Sequence, residues 1–127
     1  MRILLDSHAL LWFLEGNSKM PEATVEIIRA PENNIYVSIA SIWEIAIKTS
    51  IGKLDVNGGI DNLVKNIDEN GFSLLEVSTE HIKTVTELPF IHRDPFDRML
   101  IAQAMVEEMA IMTVDGNIMK YEIGCIW

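Results

Sequence analysis

The chain has 127 residues, 49% hydrophobic and 23% charged, which excludes wholesale disorder and predicts a single domain spanning residues 1–127. Ten Lys and Arg face 19 Asp and Glu, a formal net charge of −9, which argues against gripping nucleic acid by bulk positive charge. The lone Cys125 excludes an internal disulfide or multi-cysteine zinc site, and neither a signal-peptide pattern nor an apolar run of roughly 18 residues is present, so a soluble, cytoplasmic protein with no membrane contact is expected.

Ile3-Leu4-Leu5 reads as a short buried strand, followed by a helix from about Ser7 to Glu15 that Gly16-Asn17 stops. Pro21 suits the first turn of a second helix carrying Val25, Ile27 and Ile28, which ends before Pro31. The turn pair Asn33-Asn34 leads into a strand at Ile35-Tyr36-Val37. A strongly apolar helix then runs from about Ile39 to Thr49 and closes near Gly52. Gly58-Gly59 opens a helix with Ile60, Leu63, Val64 and Ile67 at helical spacing, stopped by Asn70-Gly71. Phe72 to Val77 is predicted as a strand, Ser78 as the cap of a helix that Pro89 terminates, and Phe90 to Pro95 as a loop. A helix from Phe96 to about Met109 and a strand from Ala110 to Val114 follow. The turn at Asp115-Gly116, a short helical piece and an edge strand at Gly124 to Trp127 close the chain. Short strands alternating with helices predict an α/β fold, a three-layer α/β/α sandwich around a parallel sheet of four to five strands. Any ligand site then lies beyond the carboxyl ends of the strands.

Four carboxylates interrupt apolar context. Asp6 follows the first strand, Glu44 sits within Ile42-Trp43-Glu44-Ile45-Ala46-Ile47, Asp97 opens the helix containing Met99-Leu100-Ile101-Ala102, and Asp115 follows Thr113-Val114. Taken singly, each is explained as well by helix capping or exposure as by function. Asp94, Pro95 and Asp97 have the spacing of N-cap, N1 and N3, and Ser41 with Glu44 has capping-box spacing, although Ser38 fits equally as the cap. Taken together, the four fall at one edge of the sheet. Converging carboxylates raise one another's pKa, and a hard dication relieves that strain. With oxygen ligands and no Cys or His cluster, one or two Mg²⁺ or Mn²⁺ ions are expected, and not zinc. Such a site suits phosphoryl chemistry, one ion activating a water and a second, about 4 Å away, steadying the leaving oxygen. Lys48, four residues after Glu44, and Arg98 are candidate phosphate contacts, with Arg93 and Lys53 nearby, although a plain i,i+4 ion pair with Glu44 explains Lys48 equally well and a solvated loop position explains Arg93. Ser7, Thr113 and Asn117 are candidates to orient a ligand or, equally, to cap and stabilise turns.

At these residues the sequence resembles the PIN-domain ribonucleases, most closely the VapC-type toxins of toxin–antitoxin pairs. LLDSHALLWFL, SIASIWEIAIKTSIGKL, HRDPFDRMLIAQA and MTVDGNIMKY resemble that family's successive blocks, in order, over nearly the whole chain. The resemblance implies a Mg²⁺- or Mn²⁺-dependent RNA endonuclease leaving a 5′-phosphate, with the acidic quartet on Asp6, Glu44, Asp97 and Asp115. It places Asp94 as a cap or an outer group, and implies a cognate antitoxin and often a homodimer. A phospho-accepting receiver module, also doubly wound, is a weaker fit, because Asp6 is followed by Ser7 and not by a second acid. A catalytically silent member of the same fold is disfavoured by the four acids being present.

His8 is expected to pack on the first helix or face solvent, with support of a ligand or contact to substrate as the alternative, His81 to lie on a polar helix, and His92 in a loop, without the spacing of a paired metal site. Trp12, Phe13 and Trp43 are expected in the core or an interface, not as base-stacking platforms. Leu11 to Leu14 cannot all face one core, so some are expected to meet a partner helix or second subunit.

Overall fold

The computed structural model describes residues 1–127. Five strands, β1 (Arg2–Leu5), β2 (Asn34–Ser38), β3 (Ser73–Leu75), β4 (Ala110–Met112) and β5 (Cys125–Ile126), form one sheet in the order β3-β2-β1-β4-β5. Every pairing is parallel. The helices are α1 (Ser7–Glu15), α2 (Glu22–Arg29), α3 (Ile39–Ser50), α4 (Gly59–Glu69), α5 (Thr79–Glu87) and α6 (Pro95–Glu107).

Alternation along β1 sets the layers. Ile3 and Leu5 point into one core with Val37, Leu10, Leu63 and Ile67, whereas Leu4 points into the other with Ile111, Leu100 and Ile101. α1, α2 and α4 therefore cover one face, α5 and α6 cover the other, and α3 packs against both α1 and α6 at the edge. The expected α/β/α sandwich is the observed architecture. β1 is central, with β2 and β3 following on one side and the chain then crossing from β3 to β4 on the other, so the crevice at the carboxyl end of β1 is the topological switch point of the sheet.

The local signals behave as their chemistry requires. Gly16 ends α1 in the left-handed conformation at φ 65°, and Asp6, Ser38, Ser78 and Asp94 cap α1, α3, α5 and α6 with side-chain oxygens. Two strands are shorter than expected. β3 pairs only with Tyr36–Ser38, and β4 pairs with Ile3–Leu5 on one side and the two-residue β5 on the other, so each ladder ends where those short partners end. Val77 and Val114 are thus loop residues. α6 also stops earlier, because Glu108 takes up a left-handed conformation at φ 55°. Leu11 to Leu14 are half-buried and all pack against the first core, which accounts for them within the chain itself.

Leu4 is fully buried and touches the second core directly. Leu4→Ala should destabilise the protein by about 2–5 kcal/mol, read as a lower midpoint in urea unfolding at unchanged slope.

Candidate active site

The carboxyl edge gathers side chains from four segments. Asp6 is the first residue beyond β1, and its main-chain N–H donates to Met112 O at 3.2 Å, so the ends of β1 and β4 are tied together there. Its Oδ1 accepts the Ala9 N–H at 2.8 Å as the α1 cap. Asp6 also lines the crevice, so capping and a place in the site coexist in this acid. Asp6 is 5% exposed, and burial raises its carboxyl pKa against the opposing pull of the Thr113 hydroxyl and the Ala9 N–H.

Glu44 lies about one and a half turns into α3, which Ser38 and not Ser41 caps. Ser7 Oγ donates to Glu44 Oε1, and Lys48 Nζ donates to Oε2 at 2.8 Å, so both carboxylate oxygens are held. The hydrogen bond to Glu44 raises the Lys48 pKa, keeping the ammonium charged. On α6, Asp94 Oδ1 accepts the N–H groups of Phe96 at 2.9 Å and Asp97 at 3.0 Å. Asp97 does not cap in return: its Oδ2 lies 2.8 Å from His92 Nε2. Asp115 Oδ1 accepts the Asn117 N–H at 2.8 Å, and its own N–H donates to Thr113 Oγ1 at 2.9 Å.

These elements enclose a cavity of about 210 Å³ with no apolar residue in its wall, lined by Asp6, Glu44, Asp97 and Asp115 with Ser7, His8, Lys48, His92 and Asp94. The proposed quartet and most of its expected neighbours do meet. Asn117 stays outside, exposed, serving Asp115 through its main chain. Thr113 sits behind the wall, fully buried, touching Asp6 and the Asp115 backbone. Arg98 is the correction among the expected contacts. Its guanidinium is buried and donates to Val85 O, Pro89 O, His92 O and the Tyr121 hydroxyl at 3.1–3.3 Å, so it organises the loop before α6 and is not available to phosphate.

For three further residues the structure adds what the sequence left open. His92 enters the site, its Nε2 also 3.5 Å from Asp115 Oδ2, and offers with Asp97 and Asp115 a trio of ligand atoms within 4.8 Å of one another. The available signal was its place two residues before the Asp94 cap, where the chain must turn toward the start of α6. His81 is buried on α5: its Nδ1 accepts the Ser78 N–H and its Nε2 lies 3.1 Å from Glu107. Trp43 is outside the core, 62% exposed, edge-on to Phe96 with centroids 5.3 Å apart.

The donor set suits a hard dication. All four acids offer oxygen, and Lys48 is committed to Glu44. Burial, followed by the charge of Asp94, pushes the Asp97 carboxyl up to about 7, with Glu44 and Asp115 adding to the rise and His92 opposing it. A carboxyl raised by burial and, secondarily, by neighbouring carboxylates is a position whose charged form a bound cation would favour.

The model of the family described as "PIN domain" matches residues 3–123, and the chain belongs to that family. Among curated proteins no sequence matches the chain. Its fold is similar to that of VapBC2 from Rickettsia felis bound to a promoter DNA fragment (TM-score 0.76, 11% identity, covering 99% of this chain and 98% of that one). It is similar also to VapBC-1 from nontypeable Haemophilus influenzae (TM-score 0.72, 12% identity, 99% and 97%). A toxin–antitoxin complex from Klebsiella pneumoniae shares the fold as well (TM-score 0.65, 14% identity, 98% and 96%).

The raised Asp97 pKa fixes a sign for pH dependence. The folded chain holds that proton up to about 7 whereas an unperturbed aspartate releases it near 3.8, so the associated stability is complete below 3.8 and lost as pH rises through about 7. With divalent cations chelated, the melting temperature should fall across that interval, and Asp97→Asn should flatten the slope. An equally steep profile in the variant would assign the effect to other groups.

Proposed function

We propose that the chain is a metal-dependent endoribonuclease that hydrolyses RNA phosphodiester bonds, acting in the cytoplasm as the toxin partner of an antitoxin. One observation carries the reading: Asp6, Glu44, Asp97 and Asp115, spread over the whole sequence, line one polar cavity at the switch point of the sheet. Membership of the PIN-domain family supports the hydrolytic part. The Klebsiella pneumoniae protein, described as part of a toxin–antitoxin complex, supports the partner, and a homodimer and a single domain over residues 1–127 belong to the same reading. No helix is long and apolar enough to cross a membrane.

Asp6, Asp97, Asp115 and Glu44 would hold one or two Mg²⁺ or Mn²⁺ ions, of which the first three offer carboxylate oxygens free of a side-chain cation. When bound, such an ion supplies Lewis-acid stabilisation of phosphoryl charge and a lowered pKa for water. The protein's own part is to hold the acids still. Ser7 and Lys48 fix the Glu44 carboxylate from both sides, and the Ala9 N–H and Thr113 fix Asp6. Asp94 fixes the first turn of α6, and with it the position of Asp97. Asp6 springs from a strand end, and Glu44 and Asp97 from the first turns of helices, where the backbone is rigid, whereas Asp115 stands on the loop after β4, tied to Thr113 and Asn117. The overall charge of −9 leaves RNA capture to local contacts near the site, in keeping with cleavage of a short unpaired stretch.

Cleavage of a single-stranded RNA should require added Mg²⁺ or Mn²⁺, stop on chelation, and be lost in Asp6→Asn and Glu44→Gln with the far-ultraviolet spectrum unchanged. Cleavage that persists in both variants would overturn the assignment. Ser7→Ala, which frees Glu44 on one side, should slow cleavage by about 10–100-fold. Mn²⁺ should also raise the melting temperature of the wild-type chain and not of Asp6→Asn, because only a specific site stabilises by mass action.

A further inference from the structure

Two residues of the cavity wall, His8 and His92, are explained neither by the acidic quartet nor by its supports; His8 is exposed, and His92 is the one of the pair whose ring is enclosed. Its ring is only 11% exposed. The Asp94 main-chain N–H donates to Nδ1 at 3.3 Å, which assigns the ring hydrogen to Nε2. That nitrogen lies 2.8 Å from Asp97 Oδ2 and 3.5 Å from Asp115 Oδ2, yet it is buried without a hydrogen bond aligned to either. The result is a buried N–H close to two carboxylates but without an aligned hydrogen bond, in a wall that is mostly acidic. Other donors there are already engaged or exposed: Ser7 and Lys48 bond Glu44, and His8 faces solvent beside Trp12.

The main chain of His92 is held as firmly as its ring. Its N–H donates to the Tyr121 hydroxyl at 2.8 Å, and its carbonyl accepts from Arg98 Nη1 at 3.3 Å. Tyr121 also accepts the Ile91 N–H and donates to Pro89 O at 2.8 Å, so one buried tyrosine and one buried arginine pin the loop at several points. Such bracing is out of proportion for a loop with no task. It suits a donor that must not move when charge arrives.

We propose that His92 is a substrate-contacting residue, donating its Nε2 hydrogen to a non-bridging oxygen of the phosphate gathered at the acidic cavity. A phosphodiester is an anion entering a wall of carboxylates, and it needs a fixed donor on the protein side as well as any bound cation. His92 supplies a hydrogen bond and not a proton. With Nδ1 accepting from Asp94, release of the Nε2 hydrogen from the neutral ring would leave an imidazolate, so the hydrogen stays on the ring throughout. The same constraint argues against Nε2 as a metal ligand, since ligation needs that nitrogen bare and Nδ1 protonated. This assignment rests on the nuclease reading above for the identity of the phosphate.

The test compares wild type, His92→Ala and His92→Gln by calorimetric binding of Mn²⁺ alone, then of adenosine 5′-monophosphate in saturating Mn²⁺, then by single-turnover cleavage of a single-stranded RNA. His92→Ala is expected to bind Mn²⁺ within about twofold of wild type, and to lose about 10–100-fold in monophosphate affinity and cleavage rate, the value of a hydrogen bond to a charged group. His92→Gln, whose amide N–H reaches similarly far, should recover part of both. Unchanged monophosphate affinity and cleavage in His92→Ala would overturn the proposal, as would a fall in Mn²⁺ affinity that accounts for the whole loss. A wild-type chain that binds monophosphate in Mn²⁺ but cuts no RNA would sink the nuclease reading and leave the histidine contact to be judged on binding.

Discussion

The repulsion among carboxylates brought together out of water is the constraint around which this fold is arranged. Asp6 and Glu44 are 5% and 6% exposed, and Asp97 is driven to hold a proton up to about 7. Left alone, such a cluster opposes folding. The chain tolerates it because donors are placed at fixed points around it: the Ser7 hydroxyl, the Lys48 ammonium, the Ala9 N–H and the Thr113 hydroxyl. Cores on both faces of the sheet outweigh the local cost, with β1 fully buried from Ile3 to Leu5.

Parallel topology explains why the acids meet there and nowhere else. All strands run the same way, so each strand end and the helix start after it fall on one edge. Residues at those junctions cap helices for local reasons, and the sheet collects them for a chemical one. Asp6 shows both at once, capping the α1 backbone while lining the crevice. Beside this polar cavity runs an apolar groove of about 720 Å³ walled in part by Trp43 and Phe96, the immediate neighbours of Glu44 and Asp97. The division is sharp, with acids turned to one side of α3 and α6 and aromatic rings to the other.

The segment between α5 and α6 ties these features together. Arg98 and Tyr121 satisfy the loop carbonyls and N–H groups, so a stretch with little regular structure is as well anchored as a helix turn. Arg98 also stacks over Phe90 at 4.9 Å. A positive charge expected to meet substrate is thus used to hold backbone, and the loop it holds presents His92.

Much of the arrangement was legible in the residues. Strand and helix order, the caps, the stop at Gly16 and the acidic quartet follow from local rules: period-two burial, capping oxygens, a left-handed glycine, and acids where apolar residues belong. Those rules act over a few residues and need no knowledge of distant partners. They failed where distance decides. The lengths of β3 and β4 depend on how far their neighbours extend, His81 is buried because α6 lies across it, and Trp43, for which core and interface were both open, lies outside the core against Phe96. The direction of the Arg98 guanidinium and the aim of the His92 ring depend likewise on Tyr121 and Asp94, and on a loop path that no periodicity encodes. By itself the sequence determined which side chains sit at the ends of elements, and only the tertiary structure decided which of those ends share a cavity, because hydrogen-bond direction and burial are properties of neighbours in space.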